Sequence, residues 1–312
     1  MLRSVSLFVC LAASTALFAQ QQATPASAPT DAPSQQVQEA EALLAQSNWQ
    51  AAADKLNTYL ATHPTDAHAL FDAGYAADAQ NHADQAADFY RRAIAADPSL
   101  LEAHLSLGLL LARQGKADEA RPELKAATDL SAGENGPAFR ARAWRALAQI
   151  DRTSDPAAAS NDLIEALKLS PETPEDTLLA AELAESAGEW EAAEKSYRRV
   201  LEKDPKSAPA IKGLAHVLIV QKKYPEAETL LRSGLESNPN DPTLTAQLAT
   251  VLAAQDKGEA LPLLEKLHTD HPADTAITRM LAQIRAEAGD VAGSDQLYTA
   301  LLAANPHDAD LL

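Results

Sequence analysis

Histidine and cysteine are the residue types of this 312-residue chain that would bind a metal ion or attack a substrate. His268 and His271, the two histidines nearest each other in the sequence, are separated by two residues and precede Pro272. Neither a cysteine nor an HExxH helix completes a zinc site there. The single cysteine, Cys10, lies in an apolar N-terminal run. The GxSxG, GxGxxG and P-loop motifs are absent from the sequence. We therefore predict no enzymatic activity, no metal site and no cofactor.

A basic stripe is the next group of residues that could do chemistry, and it consists of Arg142, Arg145, Gln149 and Arg152. Spacings of three, four and three residues place these side chains on one face of a helix. Guanidinium groups hold carboxylates through paired hydrogen bonds, so the stripe predicts a site for a carboxylate or an acidic segment. The alternative is ion pairing within the protein, because a matching acidic stripe follows at Glu175, Glu182 and Glu185.

The elements that must position these residues follow from a repeat of about 34 residues. Prolines recur at that spacing, with one double interval, at Pro64, Pro98, Pro171, Pro205, Pro239, Pro272 and Pro306. A fixed period of this length is typical of a repeat protein. Alignment on the prolines gives eight units that begin near residues 33, 67, 101, 141, 174, 208, 242 and 275. An insertion at 131–139 enlarges the third interval.

Small residues occupy two positions of every unit. The eighth positions are Ala40, Gly74, Gly108, Ala148, Ala181, Ala215, Ala249 and Ala282. The twentieth positions, with one-residue deletions allowed in the fourth and seventh units, are Ala52, Ala86, Ala120, Ala159, Ala193, Ala227, Ala260 and Ser294. Two helices approach closely only where side chains are no larger than a methyl group, so each unit is predicted to be an antiparallel helix pair. The fold class is therefore all-α.

Turn and capping residues support the same division of the chain. Gly115, Gly188 and Gly289 can adopt the left-handed conformation that ends the first helix of a unit. The next helix is predicted to start at a capping side chain, and the candidates are Ser99, Ser207, Asp241, Asp274 and Asp308.

With these positions aligned, the chain resembles tetratricopeptide-repeat proteins. The stretches LFDAGYAADAQNHADQAADFYRRAIAADP (70–98) and LAAELAESAGEWEAAEKSYRRVLEKDP (179–205) carry the small, aromatic and proline positions of that family, and the resemblance covers residues 34–306. It implies one right-handed superhelical solenoid of about eight units over 34–312. It also implies a scaffold that binds a peptide or protein segment in a concave groove lined by the first helix of each unit.

The family's register places two candidate sites in that groove. One is an apolar patch formed by Phe71, Tyr75, Leu105 and Leu109, and the other is the arginine stripe. Aromatic residues make up only 4% of the chain, so two of them in one patch predict a pocket for a partner's apolar side chains. The alternative is that the four residues only tighten the packing of the inner face. The third unit has Ala132 in place of its closing proline, and the fourth has the shortened turn RTSDP, so a local break in the superhelix is predicted there.

The C-terminal end is a further candidate interface. Only HDADLL follows Pro306, so no polar capping helix covers the last unit, and the face that contains Leu297 and Leu301 is expected to be open to a partner or a second copy. Alternatively, Leu311 and Leu312 fold back over it. The open face supports a second functional hypothesis, a self-associating structural subunit of an envelope or secretion assembly.

Charge and the N-terminal segment narrow the partner and the compartment. A formal net charge of −18 disfavours nucleic acid and anionic membranes as partners. Arg3 followed by the apolar run 5–18 is typical of a secretory signal peptide, predicted at 1–19. The run is shorter than a typical membrane span, so a retained membrane anchor is the less favoured alternative. A disordered tether rich in Pro, Ala and Gln is predicted at 20–33. The mature protein is thus expected in the periplasm or outside the cell, bound to a protein or peptide.

Overall fold

The computed structural model describes residues 34–130 and 136–304, and in those ranges the chain forms sixteen α-helices and no β-strand. The helices are α1 (Gln35–Ala45), α2 (Trp49–Leu60), α3 (Ala67–Ala79), α4 (Ala83–Ala96), α5 (Leu101–Arg113), α6 (Ala117–Asp129), α7 (Gly136–Asp151), α8 (Pro156–Leu169), α9 (Pro174–Ser186), α10 (Trp190–Lys203), α11 (Ala208–Val220), α12 (Tyr224–Ser237), α13 (Pro242–Ala254), α14 (Ala260–Asp270), α15 (Thr275–Glu287) and α16 (Val291–Ala304). The predicted signal peptide and tether, and the residues Asp308, Leu311 and Leu312, lie outside the described residues.

The helices form eight consecutive pairs in which each odd-numbered helix packs against the even-numbered helix that follows it. Odd-numbered helices of neighbouring pairs also contact each other, as α3 does with α5 and α5 with α7. Across the described residues, even-numbered helices of neighbouring pairs make no comparable contacts. The odd-numbered helices therefore line the inner side of the curve, and the prediction of an all-α solenoid is confirmed.

The two columns of small residues lie where the helices touch. All sixteen are buried, and most of the alanines have no exposed surface. A methyl group added to Gly74 would stand 2.7 Å from the ring of Tyr90, and one added to Gly108 would stand 2.6 Å from Cγ of Leu124. Because carbon atoms in contact are normally about 3.5 Å or more apart, these two positions have no room for a side chain in the present packing.

Left-handed residues end the first helix of seven units. Gly115, Gly188 and Gly289 have φ of 74°, 73° and 85°, which confirms the predicted helix stops. Residues other than glycine take the same conformation in four other units, with φ between 56° and 61°, at Ser47, Asn81, Lys222 and Asp256. The left-handed conformation is energetically costly for a residue other than glycine. The geometry of the turn is therefore imposed by the packing of the two helices that it joins.

The predicted helix caps are only partly correct. Asp241 and Asp274 each accept two N–H groups of the helix that they start. Ser207 occupies the capping position of α11 without a side-chain hydrogen bond. The prediction for Ser99 is wrong, because its hydroxyl donates to Asp97 and α5 begins two residues later.

The fourth unit departs from the predicted boundaries. Helix α7 begins at Gly136, inside the segment 131–139 that we expected to be an insertion, and not near residue 141. The first helix of this unit therefore extends further in the N-terminal direction than its counterparts and packs along α5. After it, α8 and α9 contact each other less than any other consecutive helices that the structure describes. The packing of consecutive helices is thus weakest at the junction of the fourth and fifth units, whereas the sequence predicts a break in the third and fourth.

Candidate functional site

The inner side of the second and third units carries the predicted apolar patch. Phe71 and Tyr75 stand one turn apart on α3, and Leu105 and Leu109 stand one turn apart on α5. Leu105 is buried, whereas Phe71 and Leu109 are only half-buried. The side chain of Tyr75 is 46% exposed, the greatest exposure of any aromatic residue in the described part of the chain. An exposed tyrosine beside half-buried apolar groups is typical of a contact surface, whereas a residue that only tightens packing would be covered.

These four residues line one depression of about 280 Å³ between α3, α5 and α7. Two further residues of its wall, Phe139 and Arg142, come from α7, and the remaining lining residues are Asp78, Tyr90, Glu102, Ser106 and Arg113. The structure therefore joins the apolar patch to one member of the arginine stripe. Phe139 was missed at the sequence level because the fourth unit was taken to begin at residue 141.

A second depression of about 560 Å³ adjoins the first on the same side. Tyr75, Asp78 and Arg113 line both, and Trp49 contributes from α2. The Trp49 ring meets the Tyr75 ring edge-on at a centroid distance of 5.8 Å, which fixes the position of the exposed tyrosine. We call the two depressions together the N-terminal groove.

The charges of the N-terminal groove nearly cancel. Arg113 donates from Nη2 to both carboxylate oxygens of Asp78, at 2.6 and 2.8 Å. Glu102 and Arg142 also line the groove and make no ion pair with the residues that the structure describes. In a chain with a net charge of −18, a neutral inner surface favours a partner segment without strong net charge.

Two members of the arginine stripe are engaged within the protein. Arg145 holds Asp176 through Nε at 2.8 Å and Nη2 at 2.7 Å and also donates to the carbonyl of Pro171. The hydrogen bond with Asp176 raises the pKa of Arg145. Burial alone would raise the pKa of Asp176, but the hydrogen bond from Arg145 holds it below its ordinary value. Arg152 pairs with Glu182 at 2.7 Å. These bonds tie α7 to α9 across the least packed junction of the solenoid.

The prediction of a basic site across the whole stripe is thereby corrected. Internal pairing, the alternative, holds for Arg145 and Arg152, although Arg145 pairs with Asp176 and not with Glu175. The third predicted partner, Glu185, accepts instead from the hydroxyl of Tyr197 and from Nδ1 of His216. Of the rest of the stripe, Gln149 is exposed and Arg142 lines the N-terminal groove.

The leucines at the C-terminal end are more covered than expected. Leu301 is buried, with 6% of its surface exposed, and Leu297 is half-buried against a cluster that includes Leu264 and Leu281. The expectation that both leucines form an open apolar face is wrong for Leu301, because that side chain is buried.

A further concave depression of about 600 Å³ lies between α13 and α15. It is larger than the depression between α3 and α5, and its residues include Thr250, Arg279, Met280 and Ile284. No aromatic side chain lines it. Because aromatic residues dominate the energetics of protein interfaces, the N-terminal groove is the stronger candidate.

Two titratable groups that sequence reasoning missed are shifted by their surroundings. His104 is buried between α5 and α6, where Nδ1 lies 2.7 Å from Glu123 and Nε2 lies 3.1 Å from the carbonyl of Pro98. The hydrogen bond with Glu123 raises the pKa of His104. The protonated pair therefore stabilises the two helices at low pH, and this contribution is lost as the pH rises through the raised pKa. Buried polar side chains leave no periodic signal in a sequence, so neither this pair nor the buried Asp176 could be foreseen.

Asp72 is the second shifted group and lies on α3. Burial raises its pKa to about 7, and the charges of Glu41 and Asp66 act in the same direction. Among the described residues no group of three or more His, Cys, Asp or Glu side chains is arranged to hold a metal ion. The helices found in that part of the chain are all too short or too polar to cross a membrane.

Comparison with known proteins places the chain among proteins of similar architecture. It is 29% identical over 210 residues to the cellulose synthase 1 operon protein C of Komagataeibacter xylinus. That alignment covers 64% of this chain and 16% of the relative. It is 30% identical over 245 residues to the cellulose synthase operon protein C of Xanthomonas axonopodis pv. citri, and the alignment covers 73% of this chain and 16% of that relative. The chain thus spans about one sixth of the length of these curated relatives.

The fold itself recurs in solved structures. The structure of pilF from Pseudomonas aeruginosa superposes with a TM-score of 0.58 at 20% identity, over 69% of this chain and 96% of that one. Models of the tetratricopeptide repeat match residues 37–100, 151–208 and 186–249, more than half of the sequence. The chain therefore belongs to the tetratricopeptide-repeat family.

Proposed function

We propose that this protein is a non-enzymatic scaffold that binds an extended segment of a partner protein in its N-terminal groove. One apolar side chain of that segment would be seated between α3, α5 and α7. The observation that carries the proposal is the convergence of Phe71, Tyr75, Leu105 and Leu109 with Phe139 on one concave depression. A groove composed of two adjoining depressions suits an extended chain better than a compact small molecule.

The chemistry of the partner segment follows from the groove. Its floor is apolar and aromatic, so the anchor is an aliphatic or aromatic side chain. Arg142 stands at the rim as a cation and Glu102 as an anion, so residues of either sign flanking the anchor can be accommodated. The engaged Arg145 and Arg152 contribute to stability and are not expected to bind the partner.

Selection from a random peptide library displayed on phage tests the proposal. The full chain is used as bait, and affinities of the selected peptides are measured by calorimetry. Replacing Phe71 and Tyr75 by alanine is expected to weaken binding by about 30-fold or more, as for truncated hot-spot residues at interfaces. The double variant I164A/L167A is the matched control, because these two apolar side chains are exposed on α8, away from the groove. Equal losses in both variants, or peptides indifferent to F71A/Y75A, would overturn the proposal.

We place this scaffold in the cell envelope, outside the cytoplasm. The apolar run at 5–18, which is typical of a secretory signal, supports the location. The likeness to two proteins named for a cellulose synthase operon directs the search for the partner to the products of such an operon. When the full-length sequence is expressed, the product is expected in the periplasmic fraction with its N-terminus near Gln20. Recovery in the cytoplasm with Met1 or Leu2 at the N-terminus would contradict the location and leave the groove proposal intact.

A further inference from the structure

Both ring nitrogens of the buried His104 face hydrogen-bond acceptors. Nδ1 lies 2.7 Å from a carboxylate oxygen of Glu123, and Nε2 lies 3.1 Å from the main-chain carbonyl oxygen of Pro98. An ionised carboxylate and a carbonyl only accept, and a neutral imidazole has a hydrogen on one of its two nitrogens. The neutral ring would therefore turn a lone pair towards one of these oxygens. The imidazolium donates from both nitrogens, so the geometry fits the protonated form of His104.

The charges around the ring favour the same form. The hydrogen bond with Glu123 of α6 raises the pKa of His104 against the effect of burial, and the carbonyl of Pro98 and the charge of Glu123 act in the same direction. In the turn between α4 and α5, the carboxylate of Asp97 is engaged by the N–H and the hydroxyl of Ser99. Among the described residues of α3, α4 and α7, the other helices near α5, no charged side chain acts on the ring.

His104 occupies a position that threonine holds in three other units. It is the fourth residue of the third unit, and the fourth residues of the fifth, seventh and eighth units are Thr177, Thr245 and Thr278. Each threonine hydroxyl donates to the carbonyl of the residue that caps its helix, at 3.2, 2.9 and 2.8 Å. The fourth position thus ties the start of the first helix to the turn before it. A threonine hydroxyl makes this bond without titrating, whereas histidine keeps both of its bonds only while it is protonated.

The bonds of His104 have more to hold than those of the threonines, because α5 starts without a side-chain cap. Leu100 stands at the capping position of α5 and offers no side-chain acceptor, whereas a threonine or an aspartate caps α9, α13 and α15. Helix α5 also supplies Glu102, Leu105 and Leu109 to the N-terminal groove, on both sides of His104 in the sequence. Loss of one bond of His104 would therefore loosen the end of the helix that carries these groove residues.

We propose that His104 is a positioning residue of the N-terminal groove, and that its imidazolium form holds the start of α5 to α6 and to the preceding turn in the arrangement that binds the partner segment. This inference rests on the proposed function. Because the pKa of His104 is raised above its ordinary value of 6.5, both bonds are complete below that value, and one is lost as the pH rises through the raised pKa. Binding of the partner segment is therefore expected to weaken at alkaline pH.

The test measures peptide affinity by calorimetry from about pH 6 to about pH 9, a range that brackets the titration of histidine. The peptides are those that the wild-type chain selects from the phage-displayed library, synthesised with an acetylated N-terminus and without histidine or cysteine. Wild-type affinity is expected to fall about three- to tenfold across this range, because one hydrogen bond is lost.

Three variants of the full chain separate His104 from Asp72 and from the other histidines. H104T places a threonine where other units have one, and it is expected to abolish the fall in affinity. E123Q keeps an acceptor but removes the charge, so it is expected to move the midpoint of the fall to lower pH. H216T is the matched control and is expected to keep the wild-type profile, because His216 also contacts a carboxylate, that of Glu185, but lies on α11 and away from the groove.

Nitrogen-15 NMR of the imidazole, assigned by its loss in H104T, reports the protonation directly. Two protonated ring nitrogens are expected at neutral pH in the wild-type chain, and a neutral ring there would overturn the inference. If H104T does not fold, E123Q decides, and an unmoved midpoint in E123Q contradicts the inference.

Failure of this inference is distinguishable from failure of the proposed function. If the selected peptides depend on Phe71 and Tyr75 but wild type and H104T share one pH profile, the inference about His104 is wrong and the groove function stands. If no selected peptide depends on Phe71 and Tyr75, the proposed function fails and the positioning role fails with it.

Discussion

The column of small residues makes a quantitative prediction at Gly108, which lies in the middle of α5. Alanine is the better helix former, and on propensity alone G108A would stabilise the helix by about 1 kcal/mol. The added methyl group, however, would stand 2.6 Å and 2.7 Å from two side-chain atoms of Leu124 and 3.2 Å from its backbone nitrogen. Leu124 is completely buried and cannot move into solvent.

Overpacking of a filled core costs about 1–3 kcal/mol, which exceeds the propensity gain. We therefore expect G108A to lower the free energy of unfolding by about 1 kcal/mol in guanidinium titrations followed by circular dichroism. The control is G258A, because nothing lies within 4 Å of a methyl group at Gly258 and its backbone is not left-handed. G258A is expected to be neutral or slightly stabilising. A G108A protein as stable as wild type, or more stable, would refute the packing argument.

Two further predictions concern charged groups inside the solenoid. D176N leaves Arg145 without its partner at a buried site, so we expect the free energy of unfolding to fall by about 2–4 kcal/mol in thermal or chemical denaturation. Peptide affinity is expected to stay unchanged. A larger loss in affinity than in stability would show that the pair belongs to the binding site. The pKa of Asp72 is raised to about 7, so ionisation of this side chain opposes folding. The free energy of unfolding is therefore expected to fall as the pH rises from 4 towards 7. D72N is expected to lack this pH dependence and to be more stable than wild type at pH 8. Identical pH profiles for D72N and wild type would contradict the assignment.

The repeat, its period and its helix contacts could be predicted because they depend on a rule that every unit obeys. The eighth and twentieth positions must be small where helices touch, and the structure buries Ala40, Gly74 and all their counterparts. Left-handed turns were predicted only where glycine marks them. At Asn81 and Lys222 the packing of helices imposes the same conformation on residues whose sequence signal is weak or absent.

The site was only partly predictable, because it depends on how neighbouring units differ from one another. The apolar patch followed from the family's register, but Phe139 joins it because α7 begins at Gly136, before the start that the alignment on the prolines gives. Pro137 in the first turn of α7 is the signal that could have shown this start. The choice of Asp176 over Glu175 as the partner of Arg145 depends on a capping box that turns Asp176 back onto its own helix start.

Locating a bound segment on the solenoid tests whether the N-terminal groove is the binding site for a partner. A peptide selected by the full chain is synthesised with a photoreactive group on its apolar anchor, irradiated in the complex, and the crosslinked residues are mapped by mass spectrometry. We expect crosslinks to α3, α5 and α7, within residues 71–142, that are lost in F71A/Y75A and retained in I164A/L167A. Crosslinks confined to the larger depression between α13 and α15, at residues such as Met280 and Ile284, would contradict it.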